Sequence, residues 1–434
     1  MAGGGGAHEE GHPWTAMVWP FFALTVSLLT RQVLLWYPAF PYTALLLCLG
    51  IGLGALSVTP GLGLLGESSV QWAEISPELI LYLFLPSLIF ADGLQTNTHF
   101  FRKTLGSSLL LAVPGVLVGA ALTAVVVKYV LPDDVGWSLA MVLGAIVSAT
   151  DPVAVLALLK DVGADEKLAT VVSGESLLND GAAVVLFKLF LQFAMGCGCE
   201  NDGWYIASFI FRNTLAGPAI GAAFAIAALF WLARTRDPIV ETVIILCVAY
   251  LSYITADGVA LSSGVLAVVT GALILADLGR LSVTGEGEVM TKHTWHIIEY
   301  IANSLVFFLA GTIMGYHAAS PNPGMGGRAY VGAYSVAWGL VLYVFVLLIR
   351  AVIIGLAFPY MSRTAYKWTW KEAVVLWWGG LRGAVGLSLA LSLQETAERG
   401  MQTESTDDDI DQFVANRFLA YTSIITIMTL VLHG

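Results

Sequence analysis

Charge is scarce in this chain. Asp, Glu, Lys and Arg make up 12% of its 434 residues, about half the share usual in a soluble protein. No stretch is polar enough to form a soluble domain, which excludes a water-soluble multidomain protein. A nucleotide-driven pump is excluded by the lack of any GxxxxGK[ST] phosphate loop. A cation channel, the alternative from a different class, would call for a pore-loop filter or a ring of like charges, and neither is found. The four cysteines (Cys48, Cys197, Cys199 and Cys247) form no CxxC and no Cys/His metal pattern. Cys197 and Cys199 share one loop at a spacing poor for a disulfide, so unpaired thiols are expected. The start, MAGGGGAHEEGHP, lacks a signal peptide's basic n-region and reads as an extracellular tail over 1–13.

What the chain has in abundance is apolar length. Hydrophobic residues make up 57%, and runs of about 20 residues, enough to cross a bilayer, recur throughout. The fold class is an all-α polytopic membrane protein of about 13 transmembrane helices. Expected spans are 14–36, 41–58, 77–95, 107–130, 137–159, 169–195, 204–233, 238–256, 258–279, 294–316, 330–358, 370–394 and 413–433. Basic residues fix the orientation. Arg31, Arg102, Lys103, Lys160, Lys167, Arg234, Arg236, Arg280, Lys292, Arg363, Lys367 and Lys371 fall on one side. Only Lys128, Arg212, Arg328, Arg399 and Arg417 fall on the other. The N-terminus is therefore expected outside and the C-terminus in the cytosol. Acidic residues favour the outer side: Asp133, Asp134, Glu200, Asp202 and the run 403–411, which reads as a solvated loop.

Ionisable groups at membrane depth are costly and mark function. Asp151 and Asp180 lie on antiparallel spans, roughly 21 and 16 Å along them at 1.5 Å per residue, so both fall near the midplane. In SATDPVAV (148–155), Pro152 breaks the helix beside Asp151. In GGLRGAVG (379–386), four glycines around Arg382 predict a second break. The two breaks occupy the fifth position of spans one to six and of spans eight to thirteen. That placement points to two inverted six-helix repeats with crossing broken helices.

Two carboxylates rich in neighbouring oxygens suit a hard monovalent cation or a proton. Burial favours the protonated form, so the two ligands compete. Asp180 is the expected titrating ion carboxylate with Asp151 beside it, and a monovalent cation is placed at these two. Thr150, Ser176 and Asn179 supply neutral oxygens. Glu175, five residues before Asp180, points to another face and needs a partner. Arg350 is the expected one and Arg382 the other candidate. Lys188 can snorkel to the outer surface, and Asp92 reads as interfacial.

These residues resemble the monovalent cation/proton antiporter family, on its sodium/proton exchanger branch. The stretch from SATDPVAV through SGESLLNDGAAVVLF (148–187) is similar to that family's two central helices. FLPSLIF, SGVLAVVTGAL (263–273), YIANSLVFFLAG (300–311) and GGLRGAVG extend the match. The plant Salt Overly Sensitive-type and animal plasma-membrane exchangers are the branches it feels nearest. The resemblance implies electroneutral sodium/proton antiport by elevator-like alternating access, for sodium extrusion and pH and salt homeostasis at the plasma membrane. Potassium/proton or mixed exchange is the alternative, with Li+ or K+ as possible substrates. It implies no enzyme activity, no cofactor and no nucleic acid. It also implies a homodimer in lipid, with a scaffold over about 14–95 and 204–316 and a transport core over about 107–195 and 330–433. Asn179-Asp180 matches the Asn-Asp pair of electroneutral members, and Glu175 and Arg350 match a buried pair. Many members carry Glu where this chain has Ala91, followed here by Asp92. A long cytosolic regulatory tail is common in the family, while this chain stops at Gly434.

Overall fold

A computed structural model describes residues 14–36, 41–73, 77–132, 135–151, 155–156, 159, 163, 165–197, 202–319, 333–363, 368–402 and 412–433. The tail 1–13, Asp133, Asp134, Pro152, Lys160, Cys199, Glu200, Arg328, Lys367 and the run 403–411 lie outside them. Every described element is a helix. In chain order they are α1 (Val18–Leu34), α2 (Tyr42–Ser57), α3 (Gly63–Ala73), α4 (Pro77–Gln95), α5 (Thr98–Leu110), α6 (Val116–Tyr129), α7 (Trp137–Ser148) and α8 (Glu166–Ala194). Then come α9 (Gly203–Leu232), α10 (Pro238–Ile254), α11 (Gly264–Leu278), α12 (Gly285–Ala319), α13 (Ala333–Met361), α14 (Trp370–Trp378), α15 (Ala384–Gln402) and α16 (Gln412–His433).

Among the described residues, eight helices are long and apolar enough to cross a membrane, and α2, α7, α11 and Leu81–Gln95 are shorter apolar helices. Side chains start many of them. Asn97, Asp165, Asp202, Asp237 and Ser263 each accept a hydrogen bond from a first-turn amide. Thr369 and Glu372 form a capping box at α14.

Several boundaries differ from expectation for local reasons. The fourth span begins at Thr98, because Asn97 caps there and a π turn at Leu111–Gly115, around Pro114, carries α5 into α6. The sequence ADG does not end a span. Asp257 sits in a π turn, Thr255–Val259, that prolongs α10. α12 starts at Gly285, nine residues before the expected 294. Cys197 is disulfide-bonded, against the expectation of free thiols from spacing alone, while Cys48 and Cys247 are free.

Small residues let the longest helices touch. A Cβ placed on Gly50 or Gly54 of α2 would strike the carbonyl oxygens of Phe308 or Thr312 in α12, and one on Gly311 or Gly315 would strike those of Leu47 or Ile51. This is a reciprocal small-xxx-small contact, in which backbones approach because no side chain intervenes. α5 to α8 pack on one another, with α13, α15 and α16 alongside, while α4, α9, α10, α11 and α12 form a second set of neighbours.

Candidate functional site

Two helices end in mid-structure and meet. α7 stops at Ser148, with Ala149 extended (ψ 131°). α14 stops at Trp378, and α15 resumes at Ala384. The strands of backbone left between them satisfy each other. The Asp151 amide donates to the Leu381 carbonyl at 2.9 Å, and Arg382 Nη1 donates to the Ala149 carbonyl at 2.9 Å. Two glycines make the crossing possible. A Cβ on Gly383 would overlap the Asp151 side chain, and one on Gly380 would overlap the Arg350 guanidinium.

α8 runs past this crossing with two polar stripes, each spaced i, i+4. The first is Ser176 and Asp180. Ser176 Oγ donates to the Thr150 carbonyl at 2.6 Å. Asp180, 7% exposed, lines a cavity with Asp151, Thr150 and Ser176, and makes no hydrogen bond or ion pair among the described residues. The cavity offers about 20 Å³ to the centre of a water-sized sphere, room for one water or one small ion.

The second stripe is Glu175 and Asn179. Arg350 grips Glu175 with Nη1 to Oε1 at 2.9 Å and Nη2 to Oε2 at 3.4 Å, and its Nε and Nη2 also donate to the Leu376 carbonyl. Arg382 does not pair with Glu175; it serves the α7 break. Asn179 Nδ2 donates to the Ser148 carbonyl and to Thr150 Oγ1, both at 3.0 Å. The structure therefore brings Thr150, Asp151, Ser176 and Asp180 to one cavity. It sets Asn179 beside Glu175, Arg350 and Arg382 around a neighbouring void of about 30 Å³.

The same cavity has members that the sequence reading missed. Asp92 of α4 lines it rather than an interface, as do Glu299 and Asn303 of α12. Glu299 Oε2 accepts from Gln95 Nε2 at 3.0 Å. Four-residue spacing between Glu299 and Asn303 was the signal available. Lys188 pairs with Asp257, a partner the sequence reading missed, whose other oxygen accepts from Tyr82 Oη at 2.8 Å. Ala91 lines a different cavity, beside Trp295 and His296.

Comparisons with known proteins bear on this arrangement. A family described as "Sodium/hydrogen exchanger, transmembrane" matches residues 21–434. Sodium/hydrogen exchanger 7 of Arabidopsis thaliana is 38% identical over 98% of this chain and 36% of its own length. The Na+/H+ antiporter ApNhaP of Aphanothece halophytica is 32% identical over 83% of this chain and 64% of its own. The chain thus spans about a third of the plant relative and under two thirds of the cyanobacterial one. The fold is similar to that of the sodium proton antiporter MjNhaP1 from Methanocaldococcus jannaschii, solved at pH 8, with a TM-score of 0.73 at 18% identity, covering 96% of this chain and 98% of that one. Broken helices crossing in an all-helical membrane protein thus agree with a match along nearly the whole sequence, and the chain belongs to the sodium/hydrogen exchanger family.

Proposed function

We propose that the chain is a secondary transporter that exchanges sodium for protons, one for one, at Asp180. The observation that carries this reading is a buried carboxylate with no hydrogen bond or ion pair among the described residues, facing a cavity of single-ion size at a crossing of broken helices. Asp151 and the oxygens of Thr150 and Ser176 complete a hard-oxygen environment for a small cation. Either the cation or a proton neutralises Asp180, and a neutralised site moves through a low-dielectric region more cheaply than a charged one. Asn179 adds no second charge, which suits an electroneutral cycle. Relatives named as Na+/H+ antiporters support the choice of substrates.

In this reading the core (about 107–195 and 330–433) slides against a scaffold (about 14–95 and 204–316) that holds a homodimer together. The N-terminus lies outside and the C-terminus in the cytosol, in the plasma membrane. The cycle extrudes cytosolic sodium and serves salt and pH homeostasis. The deciding assay is a proteoliposome loaded with a pH dye, with the membrane potential clamped at zero and Na+, Li+ and K+ run in parallel. A sodium gradient should drive proton movement at zero potential, and strict voltage dependence would refute electroneutrality. A larger response to K+ than to Na+ would make the protein a potassium/proton exchanger. Asp180→Asn should abolish exchange while the purified protein keeps its thermal melt; retained turnover would remove Asp180 from the centre of the cycle.

A further inference from the structure

We infer that Glu299 is a capture carboxylate at the mouth of the ion cavity, which takes a monovalent cation from solvent and passes it toward Asp180. The inference rests on the antiport reading above. Glu299 and Asn303 stand one turn apart on α12 and both line the cavity that holds Asp180. Gln95, the last residue of α4, is exposed and donates to Glu299 Oε2 at 3.0 Å. His296, 79% exposed at its side chain, lies 3.6 Å from the same oxygen. Glu299 thus sits between groups in contact with solvent and the buried Asp180, which has no partner among the described residues. Asp92, three residues before Gln95 on α4, lines the same cavity.

The acids along this cavity do not converge on one point. Among the described residues, no group of three or more His, Cys, Asp or Glu is placed to hold a metal ion together. Glu299 and Asp180 are therefore successive stations. An acid at the mouth raises the local concentration of cations and speeds their entry. Gln95 keeps Glu299 oriented with one hydrogen bond on one oxygen. In the proposed orientation α4 ends in the cytosol, so capture is from the cytosolic side.

The test is Glu299→Gln in the full chain, reconstituted in vesicles of both sidedness, with sodium-driven proton flux measured from each face. Glutamine keeps the shape and a carbonyl acceptor for Gln95, and Glu299→Asp serves as the charge-retaining control. The half-saturating sodium concentration on the cytosolic face should rise roughly three- to tenfold, with the value on the other face unchanged and the maximal rate within about twofold. Glu299→Asp should recover most of the difference. Equal increases on both faces would mean that Glu299 acts by positioning Asp180, and would overturn the proposal. So would a fall in maximal rate at unchanged half-saturation. Wild-type protein with no cation-dependent proton flux would instead overturn the antiport reading itself, a result distinct from either of these.

Discussion

The Glu175–Arg350 pair makes a quantitative prediction. Its side chains are 6% and 11% exposed, so solvent screens the pair little. Glu175→Gln removes the charge but keeps the shape. The guanidinium, which stays charged, then keeps its two bonds to the Leu376 carbonyl, at 3.2 and 2.9 Å, and faces one neutral amide oxygen in place of the carboxylate. One-sided removal of a buried ion pair costs about 3–5 kcal/mol in soluble proteins. Hydrogen bonds between membrane helices are weaker, about 0.6 kcal/mol on average and about 1.7 at most, because the unfolded chain in lipid finds other partners. A charged, bidentate contact with part of its bonding retained falls between these limits, at about 2–3 kcal/mol. The assay is a double-mutant cycle of Glu175→Gln and Arg350→Met by equilibrium unfolding in mixed micelles. Coupling of about 1.5 kcal/mol or more is expected; additivity within about 0.5 kcal/mol would refute the pair as a stabilising contact. Exchanging the two charges should recover less than half of the loss. A carboxylate at 350 would face the Leu376 carbonyl, where Arg350 now donates.

Two more perturbations probe the crossing and the far side of the molecule. Gly383→Ala should cut transport at least tenfold with little change in thermal stability, since its methyl would displace the Asp151 side chain; wild-type turnover would show that the Asp151 position does not matter. Lys188→Met should lower stability by roughly 1–3 kcal/mol, because Asp257, 12% exposed, loses a charged partner. Asp257→Asn added to it should restore part of the loss, and a double variant no better than the single one would exclude the pair as the cause.

Depth and helical phase carried the sequence reading further than composition did. A five-residue step was enough to set Glu175 and Asp180 on different faces of one helix. The same arithmetic, taken one step further, places Asn179 four residues from Glu175 and therefore on its stripe. That is where its amide reaches Ser148 and Thr150. Glu299 escaped notice because it lies only five residues into the expected span at 294–316, beside the polar stretch GEGEVMTKHTWHIIEY, and so reads as the membrane edge. Lys188 satisfied a local rule about snorkelling, while its partner lies 69 residues away in a π turn that no hydropathy window resolves. GGLRG announced a break. That Gly380 makes room for Arg350 and Gly383 for Asp151 depends on helices far apart in the chain, and only the assembled fold supplies that.

The polarity at the crossing has a cause that precedes transport. A helix broken in lipid exposes amides and carbonyls, and each costs several kcal/mol if left unpaired. Here five of the freed groups, among the described residues, have named partners. The Asp151 amide has the Leu381 carbonyl, and the Ala149 carbonyl has Arg382 Nη1. The Ser148 carbonyl has Asn179 Nδ2, and the Thr150 carbonyl has Ser176 Oγ. The Arg382 amide has Thr429 Oγ1. Asn179, Ser176 and Arg382 are thus accounted for as supports of the two breaks, and Glu175 is accounted for by Arg350. Asp180 remains. It is as deeply buried as the others but satisfies no backbone group among the described residues. A carboxylate kept at such a cost marks a candidate functional site. The supports around it explain why the breaks persist, and the lack of a support role for Asp180 among the described residues is what the proposed ion site rests on.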